Sequence, residues 1–396
     1  MHVSSHISLA QARELFPVCH RRVYLDNAAV SPLPTPARKA MERQLLEMNE
    51  LGPAVNLDDW IAPLDRVRAI LARLVNAAPG EIAFVKNTSE GLSFVARGLS
   101  WKPGDRIVGF DCEFPANVYP WLALRPLGVQ VDLLPGAALA DPDRIRQACR
   151  GAKLLAVSSV QYLSGYRAPL EALGAICREL GLWFVVDGIQ SLGAFPLDVK
   201  RCGVHALSAD GHKWLVSPEG AGFLYLDPAL MAALTPPEVG WLSIAGWDDL
   251  GRAASLAASG APLPWRPDAT RFECGALNRI GLVGMGASVE MLLDAGQDAV
   301  ARHLLALGES AVAGLRRLGC EMLRLAPDAE LPARRSGINT FRHPACPAEA
   351  LVARLRDAGI LCANRQNWVR VSPHLYNTAD EIERLLDVLG AELARA

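Results

Sequence analysis

The 396-residue sequence lacks several features that would place a chain in a membrane or on a nucleic acid. It has no apolar stretch as long as a membrane span, and its first residues, MHVSSHISLAQARELF, lack the charged start and apolar run of a signal peptide. It has no basic run, and its formal net charge is only -2, which indicates neither a nucleic acid nor an anionic membrane surface as a partner. We therefore expect a cytoplasmic protein with a small-molecule substrate.

Paired cysteine motifs are also missing. The nine cysteines are an odd number and are scattered without a CxxC pair or a histidine at ligand spacing. This pattern fits reduced thiols better than disulfides or a zinc site. We predict no metal centre.

Alternating apolar runs and helix-like segments make up the first two thirds of the chain. The strand-like runs IAFV, RIVGF, VQVDLL, LLAVSSV and WFVV alternate with segments such as EALGAICREL. This order predicts an α/β fold with a mostly parallel sheet sandwiched by helices. A Pro/Gly-rich stretch from Leu234 to Pro267 interrupts the pattern, so we predict a large domain over 16–260 and a smaller α+β C-terminal domain over 261–396.

Asp187 and Lys213 carry the chemistry of the sequence. Trp183–Val186 form a short apolar run typical of a strand buried on both faces, and Asp187 follows at its carboxyl end, where open α/β sheets bind ligands. A carboxylate there can keep a pyridinium nitrogen protonated, and the amine of Lys213 can form a Schiff base. The pair predicts pyridoxal 5'-phosphate as the cofactor.

These segments resemble the class V aminotransferase family of fold-type I pyridoxal phosphate enzymes, which also contains cysteine desulfurases, kynureninases and isopenicillin N epimerase-like proteins. The resemblance covers nearly the whole chain, in the ordered segments YLDNAAVSPLP, FVKNTSEGLSFVA, EFPANVYPW, VVDGIQSLG, SADGHKWLVSPEGAGFLYL, RFECGALNRIG and VRVSPHLYNT. It implies that residues 1–15 join the small domain, and that the protein is a homodimer.

A helix start is predicted to hold the phosphate of the cofactor. Thr88 and Ser89 follow the strand IAFV and can offer amides and hydroxyls to an anion, although an ordinary N-cap is the plain alternative. By resemblance, Ser89 matches the family's phosphate-binding threonine, and His212 helps to enclose the same group. Ser208 belongs to the same predicted cofactor-binding set.

Two positions depart from the family pattern near the phosphate. Asp210 stands where desulfurases carry serine, and Ala276 replaces a common threonine. Because a buried carboxylate beside a dianion is costly, we expect Asp210 to turn away, or to bind a nearby cation or amide. Ala276 still offers its backbone N–H.

The resemblance also assigns contacts to the cofactor ring. It places Phe114 over one face, Ile189 against the other and Gln190 at the phenolic oxygen. Tyr162 stands where desulfurases carry asparagine and kynureninase-like relatives can carry tyrosine. It can bind near the ring or act as a half-buried aromatic at a strand end.

An α-amino acid substrate presents a carboxylate, which a planar guanidinium binds best. Arg370 occupies the family position of the substrate arginine, Arg365 is predicted to assist, and Asn27 to line the same entrance. We expect the tryptophans of the irregular stretch to be core or dimer contacts, and the alternative is an apolar wall for a substrate side chain. They are Trp241, Trp247 and Trp265.

Transamination is the leading expectation for the reaction, with Lys213 moving the proton from Cα to the cofactor carbon and an oxo acid closing the cycle. The alternatives are a carbon-sulfur β-lyase, a kynureninase-like hydrolase, an isopenicillin N epimerase-like enzyme and a non-catalytic paralogue. Desulfuration ranks low, because only LCANRQNW separates the preceding helix-like segment from Val369, and Cys362 falls at a strand start instead of in a mobile loop. His212 counts against kynureninase, whose members usually carry tyrosine before the lysine.

Overall fold

The computed structural model describes residues 7–52, 57–249 and 251–394. The prediction for residues 1–15 therefore falls partly outside the described residues. Within the described ranges, no helix combines the length and the apolar character needed to cross a membrane.

A seven-stranded sheet forms the centre of the molecule. Its strands are β2 (Ile82–Val85), β3 (Arg106–Phe110), β4 (Gln130–Leu134), β5 (Leu154–Ser158), β6 (Trp183–Asp187), β7 (Ala206–Asp210) and β8 (Gly222–Leu226). Their spatial order is β2-β8-β7-β6-β5-β3-β4; β8 runs antiparallel to β2 and β7 on its two sides, and the other described pairs are parallel. The predicted mostly parallel sheet is confirmed, and each apolar run named above falls on one of these strands.

The strand order reverses between β3 and β5, since the chain leaves β3 toward β4 on one side and returns to β5 on the other. Such a reversal opens a crevice at the carboxyl ends of the strands. Every residue of β5 and β7 is buried, because helices cover both faces of the sheet.

Smaller sheets follow toward the C-terminus. One has the order β12-β13-β10-β9, with β9 at Glu321–Met322, β10 at Asn339–Arg342, β12 at Ala363–Arg365 and β13 at Trp368–Val371. The other pairs β1 (Val23–Tyr24) in parallel with β11 (Ile360–Leu361), so an early segment of the chain joins the C-terminal elements.

The helices fill the layers around these sheets. They are α1 (Leu9–Arg13), α2 (Thr35–Glu50), α3 (Leu57–Val75), α4 (Thr88–Gly98), α5 (Tyr119–Leu122), α6 (Pro142–Cys149), α7 (Leu170–Leu180), α8 (Pro228–Ala233), α9 (Arg252–Ser259), α10 (Arg279–Ala295), α11 (Gln297–Arg317), α12 (Ala348–Asp357) and α13 (Ala379–Leu393). The described part of the irregular stretch before the C-terminal part thus contains α9 and a short 3-10 helix at Trp241–Ser243. The exact domain boundary stays a prediction.

Candidate active site

A cavity of about 520 Å³ opens at the carboxyl edge of the central sheet. Most of the residues predicted from the sequence line it together: Thr88, Ser89, Phe114, Tyr162, Asp187, Ile189, Gln190, His212, Lys213, Arg365 and Arg370. The switch point of the sheet explains this convergence, because loops from β3, β5, β6 and β7 end at the same edge.

Asp187 lies at the last position of β6 and is 2% exposed. Its Oδ1 accepts a hydrogen bond of 3.0 Å from the backbone N–H of Ile189. Burial raises the pKa of Asp187 to about 7, and the Ile189 amide opposes this shift only in part. The carboxyl therefore has few partners of its own, and it can interact strongly with a cationic group that enters the cavity.

Lys213 follows β7 and is also buried. Burial lowers the pKa of Lys213 to about 8, while the charge of Asp187 opposes the shift. Its Nζ lies 5.4 Å from the centre of the Phe114 ring. An amine with this pKa can exist in both the protonated and the neutral form near neutral pH, as nucleophiles and general bases require.

Helix α4 begins at the cavity wall. The side chain of Asn87 caps it by accepting from the N–H of Glu90 at 3.0 Å, while Thr88 and Ser89 form the first turn. The Thr88 hydroxyl accepts from the backbone N–H of Asp210 at 3.0 Å, which ties the helix start to the end of β7. Asn87 is therefore an N-cap, and the first turn of α4 lines the cavity; phosphate binding by Thr88 and Ser89 stays a prediction.

Asp210 turns to its own neighbours. Its Oδ1 accepts from the N–H of Gly211 at 2.7 Å, and its Oδ2 lies 2.8 Å from Nδ1 of His212. The expected contact with an amide is present at Gly211, and Asp210 still lines the cavity. His212 thereby gains an acidic neighbour on the cavity wall.

Arg370 lies on β13 and is 2% exposed. Its Nη1 donates to the carbonyl of Tyr162 at 2.9 Å, and its Nη2 lies 3.3 Å from Oδ1 of Asp26. Its Nε is buried and has no hydrogen-bond partner among the described residues. A buried, unpaired N–H of a guanidinium at a cavity wall is suited to receive a carboxylate.

The aromatic wall of the cavity joins β3 and β5. The rings of Phe114 and Tyr162 meet edge to face at 5.3 Å, and the Tyr162 hydroxyl accepts from Nε2 of Gln366 at 3.0 Å. Arg365 is exposed and lines the rim. Gln366 and Asn367 have φ of 52° and 63°, so the β12–β13 hairpin closes through a two-residue turn.

Gln190 is held from two sides within the chain. Its Nε2 donates to the carbonyl of Ala28 at 3.0 Å, and its Oε1 accepts from the indole N–H of Trp214 at 2.8 Å. One amide proton stays available toward the cavity. The predicted contact with a phenolic oxygen is compatible with this arrangement and stays a prediction.

Asn27 and Ser208 are placed differently from the expectation. Asn27 is fully buried and satisfied, since it donates to the carbonyl of Ser372 and accepts from the hydroxyls of Ser31 and Tyr376. It therefore supports the segment whose next residues, 28–30, form the cavity entrance. Ser208 is also fully buried, and its hydroxyl donates to the carbonyl of Thr88 at 3.1 Å, so it supports α4 from behind the cavity.

Other residues were missed or lie elsewhere. Asp26, the partner of Arg370, stands in the quoted YLDNAAVSPLP segment, and Glu113 directly precedes Phe114. Their places in these segments could have identified both as residues near the site. Ala276 lines a separate cavity with its neighbours. None of the three tryptophans lines the Lys213 cavity; the rings of Trp241 and Trp247 contact each other edge to face at 5.3 Å.

Comparison with known proteins finds relatives that match nearly the whole chain. The sequence model of the family described as aminotransferase class-V matches residues 23–385. A probable cysteine desulfurase of Methanothermobacter thermautotrophicus is 30% identical over 403 residues, which cover 95% of this chain and 96% of the relative.

Solved structures agree over the whole fold. The apo structure of a cysteine desulfurase from Thermococcus onnurineus NA1 has a TM-score of 0.87 at 27% identity, covering 97% of this chain and 98% of that chain. A mutant of C-DES with glycine covalently linked to the PLP cofactor has a TM-score of 0.86 at 25% identity, covering 96% of this chain and 98% of that chain. The cystine C-S lyase C-DES with its reaction product cysteine persulfide has a TM-score of 0.85 at 26% identity, covering 95% of this chain and 99% of that chain.

Proposed function

The chain belongs to the aminotransferase class V family, and within it we propose a carbon-sulfur lyase that eliminates the β-sulfur of cysteine or of its disulfide, cystine. The enzyme depends on pyridoxal 5'-phosphate, the cofactor of this family. The substrate class rests on similar proteins named as cysteine desulfurases and as a cystine C-S lyase. The choice between their reactions rests on the cavity itself.

The cavity residues fit the cofactor. Phe114 is 44% exposed, so its ring offers a free face to a flat aromatic group. The first turn of α4 offers N–H groups that helix hydrogen bonds do not use, which suits a phosphate. When bound, pyridoxal phosphate supplies an aldehyde that joins the substrate amine and a ring that accepts the electron pair of Cα.

Four side chains would act on the substrate and the cofactor. Asp187 would hold the pyridine nitrogen in its protonated form, because the buried carboxylate would pair with the cationic ring N–H. Lys213 takes the proton from Cα and returns a proton to the departing sulfur, which its pKa of about 8 permits near neutral pH. Arg370 holds the α-carboxylate through its free Nε, and the exposed Arg365 can hold a second carboxylate, such as that of cystine.

The observation that favours elimination over desulfuration is the lack of a thiol at the cavity. No cysteine is among the described residues that line it. Cys362, the nearest in sequence to the arginines, precedes β12, and burial raises the pKa of its thiol to about 12. The tight turn at Gln366 and Asn367 leaves no loop between β12 and β13 that could carry a thiol to the substrate. The sulfur therefore leaves with its own fragment instead of passing to the chain.

The test is product analysis of the purified holoenzyme with L-cystine or L-cysteine, without an oxo acid. We expect pyruvate and ammonia over many turnovers, with no alanine. Alanine with sulfur bound to the protein would establish a desulfurase instead. A single turnover ending in the pyridoxamine form would establish the transamination expected from the sequence.

Two variants test the assignment of roles. Lys213→Ala should lower kcat by at least about 10³-fold, because it removes both the covalent anchor and the proton carrier, whereas the surface variant Lys200→Ala should keep the rate. Cys362→Ala should leave pyruvate formation unchanged. A tenfold or larger loss in that variant would contradict the lyase proposal.

A further inference from the structure

A buried carboxylate adjoins the cavity and takes no part in the chemistry above. Glu113 accepts four hydrogen bonds: from the N–H of Ser158 at 2.8 Å, from the Ser158 hydroxyl, from Nε2 of Gln161 at 2.7 Å and from Nδ2 of Asn117 at 3.0 Å. Burial raises the pKa of Glu113, and these donors oppose the shift. Such a junction fixes the relative positions of the segments that supply its donors.

Phe114, the next residue, depends on an anchor outside its own side chain. Its ring is 44% exposed and meets Tyr162 only edge to face, so packing alone does not hold it in place. Its backbone is held on both sides. Glu113 precedes it, and Asn117 donates its N–H to the Phe114 carbonyl at 2.9 Å while its side chain bonds Glu113.

The other donors of Glu113 lead to further cavity residues. Ser158 is the residue of β5 that pairs in register with Asp187 of β6. Gln161 directly precedes Tyr162. One carboxylate thus joins the segments that carry the exposed ring, the buried acid and the tyrosine of the cavity wall.

We propose that Glu113 is a positioning residue that fixes Phe114 relative to Asp187 and Tyr162, and so sets the width of the cavity for the flat cofactor ring. The inference rests on the stacking role proposed for Phe114, and it holds for any reaction of the family. Glu113 is not among the described residues that line the cavity, so it would act through Phe114.

A double-mutant cycle on cofactor affinity tests this coupling. The four proteins are the unaltered chain, Glu113→Gln, Phe114→Ala and the double variant, each freed of cofactor and titrated with pyridoxal phosphate while absorbance and tryptophan fluorescence are recorded. Glutamine keeps the shape of Glu113 but places an amide NH₂ among four donors. We expect each single variant to bind the cofactor about 10-fold more weakly, and the double variant no more weakly than Phe114→Ala.

The control is another buried glutamate. Glu81 accepts from the N–H of Ala78 and from Lys200 and does not line the cavity, so Glu81→Gln should keep the cofactor affinity. If Glu113→Gln does not fold, Asn117→Ala removes one donor and replaces it in the cycle. Equal losses with and without Phe114, or an unchanged affinity of Glu113→Gln, would overturn the proposal. Since no substrate is present, these results are independent of the lyase assay.

Discussion

At the scale of single residues, the active site contains charged groups held away from water. Asp187 and Lys213 are both buried, and burial moves the pKa of each toward neutrality, to about 7 and about 8. Opposite charges nearby reduce these shifts without removing them. The two charged residues proposed to act on the cofactor and the substrate are therefore ones whose protonation changes near neutral pH.

Asp187 should make the stability of the cofactor-free protein depend on pH. Its folded pKa of about 7 lies above the value of 3.8 expected for the unfolded chain, so its contribution is complete below pH 4 and is lost as the pH rises through 7. The free energy of unfolding should fall by up to about 4 kcal/mol over this range. Lys213, with a pKa of about 8, changes its protonation above this pH range.

Urea titrations of the apo protein between pH 4 and 7 measure this slope. Asp187→Asn should flatten it, whereas Asp143→Asn, at a side chain 92% exposed, should not. Glu113 has a shift of the same sign and remains in both variants, so the difference between the two slopes belongs to Asp187. Equal slopes in the unaltered protein and in Asp187→Asn would refute the assignment.

At the scale of elements, helix α4 is held against β7 by close contact. A Cβ on Gly91 would lie 2.2 Å from Oγ and 2.9 Å from Cβ of Ser208, so only glycine lets the helix approach this closely. The same contact places Thr88 and Ser89 at the cavity. The position of a predicted anion-binding turn thus depends on a packing contact one turn further along.

Gly91→Ala should therefore destabilise the protein by about 1–3 kcal/mol, although alanine favours helices over glycine. The first turn would move, and cofactor affinity should fall about 10-fold. The double variant Gly91→Ala with Ser208→Gly removes the opposing atoms and should recover most of both losses. Thermal unfolding and cofactor titration check this. Raised stability and unchanged cofactor affinity in Gly91→Ala would show that the Gly91–Ser208 contact does not determine the position of α4.

The elements were more predictable from the sequence than the direction of each side chain. Apolar runs placed β2, β3, β5 and β6 correctly, because strands buried on both faces need uninterrupted apolar sequence. The positions of the motifs predicted that Lys213, Asp187 and Arg370 lie at one site, and all three line one cavity. It could not tell that Asn27 and Ser208 point away from the cavity, since their directions depend on hydrogen bonds to residues distant in the chain, Ser372 and Thr88.

At the scale of the whole molecule, α1 near the start of the described residues contacts α13 and the segment that precedes it. Arg13 of α1 donates to the carbonyl of Tyr376 at 2.5 Å and pairs with Glu381 at 2.9 Å. The parallel pair β1–β11 continues this contact. The predicted homodimer stays a prediction, and the exposed apolar side chains of α2 offer a surface suited to a second subunit; they are Leu45, Leu46 and Met48.

Phe16 connects this junction to the cavity. It is fully buried, and its ring centre lies 4.3 Å from that of Tyr376, whose hydroxyl donates to Asn27. Asn27 holds the segment whose next carbonyl, that of Ala28, accepts from Gln190 at the cavity. Loss of the Phe16 ring should therefore affect both the stability of the junction and the binding of the cofactor.

Phe16→Ala should lower the free energy of unfolding by about 3–5 kcal/mol, because it leaves a cavity in a packed core, and Phe16→Leu should cost less. Phe16 belongs to the same apolar cluster as Val157 of β5, so urea unfolding should remain one cooperative transition in both variants. Cofactor affinity should fall in the order of stability, with alanine weaker than leucine. An early, separate transition in Phe16→Ala with unchanged cofactor affinity would mean that the N-terminal segment packs independently of the active site.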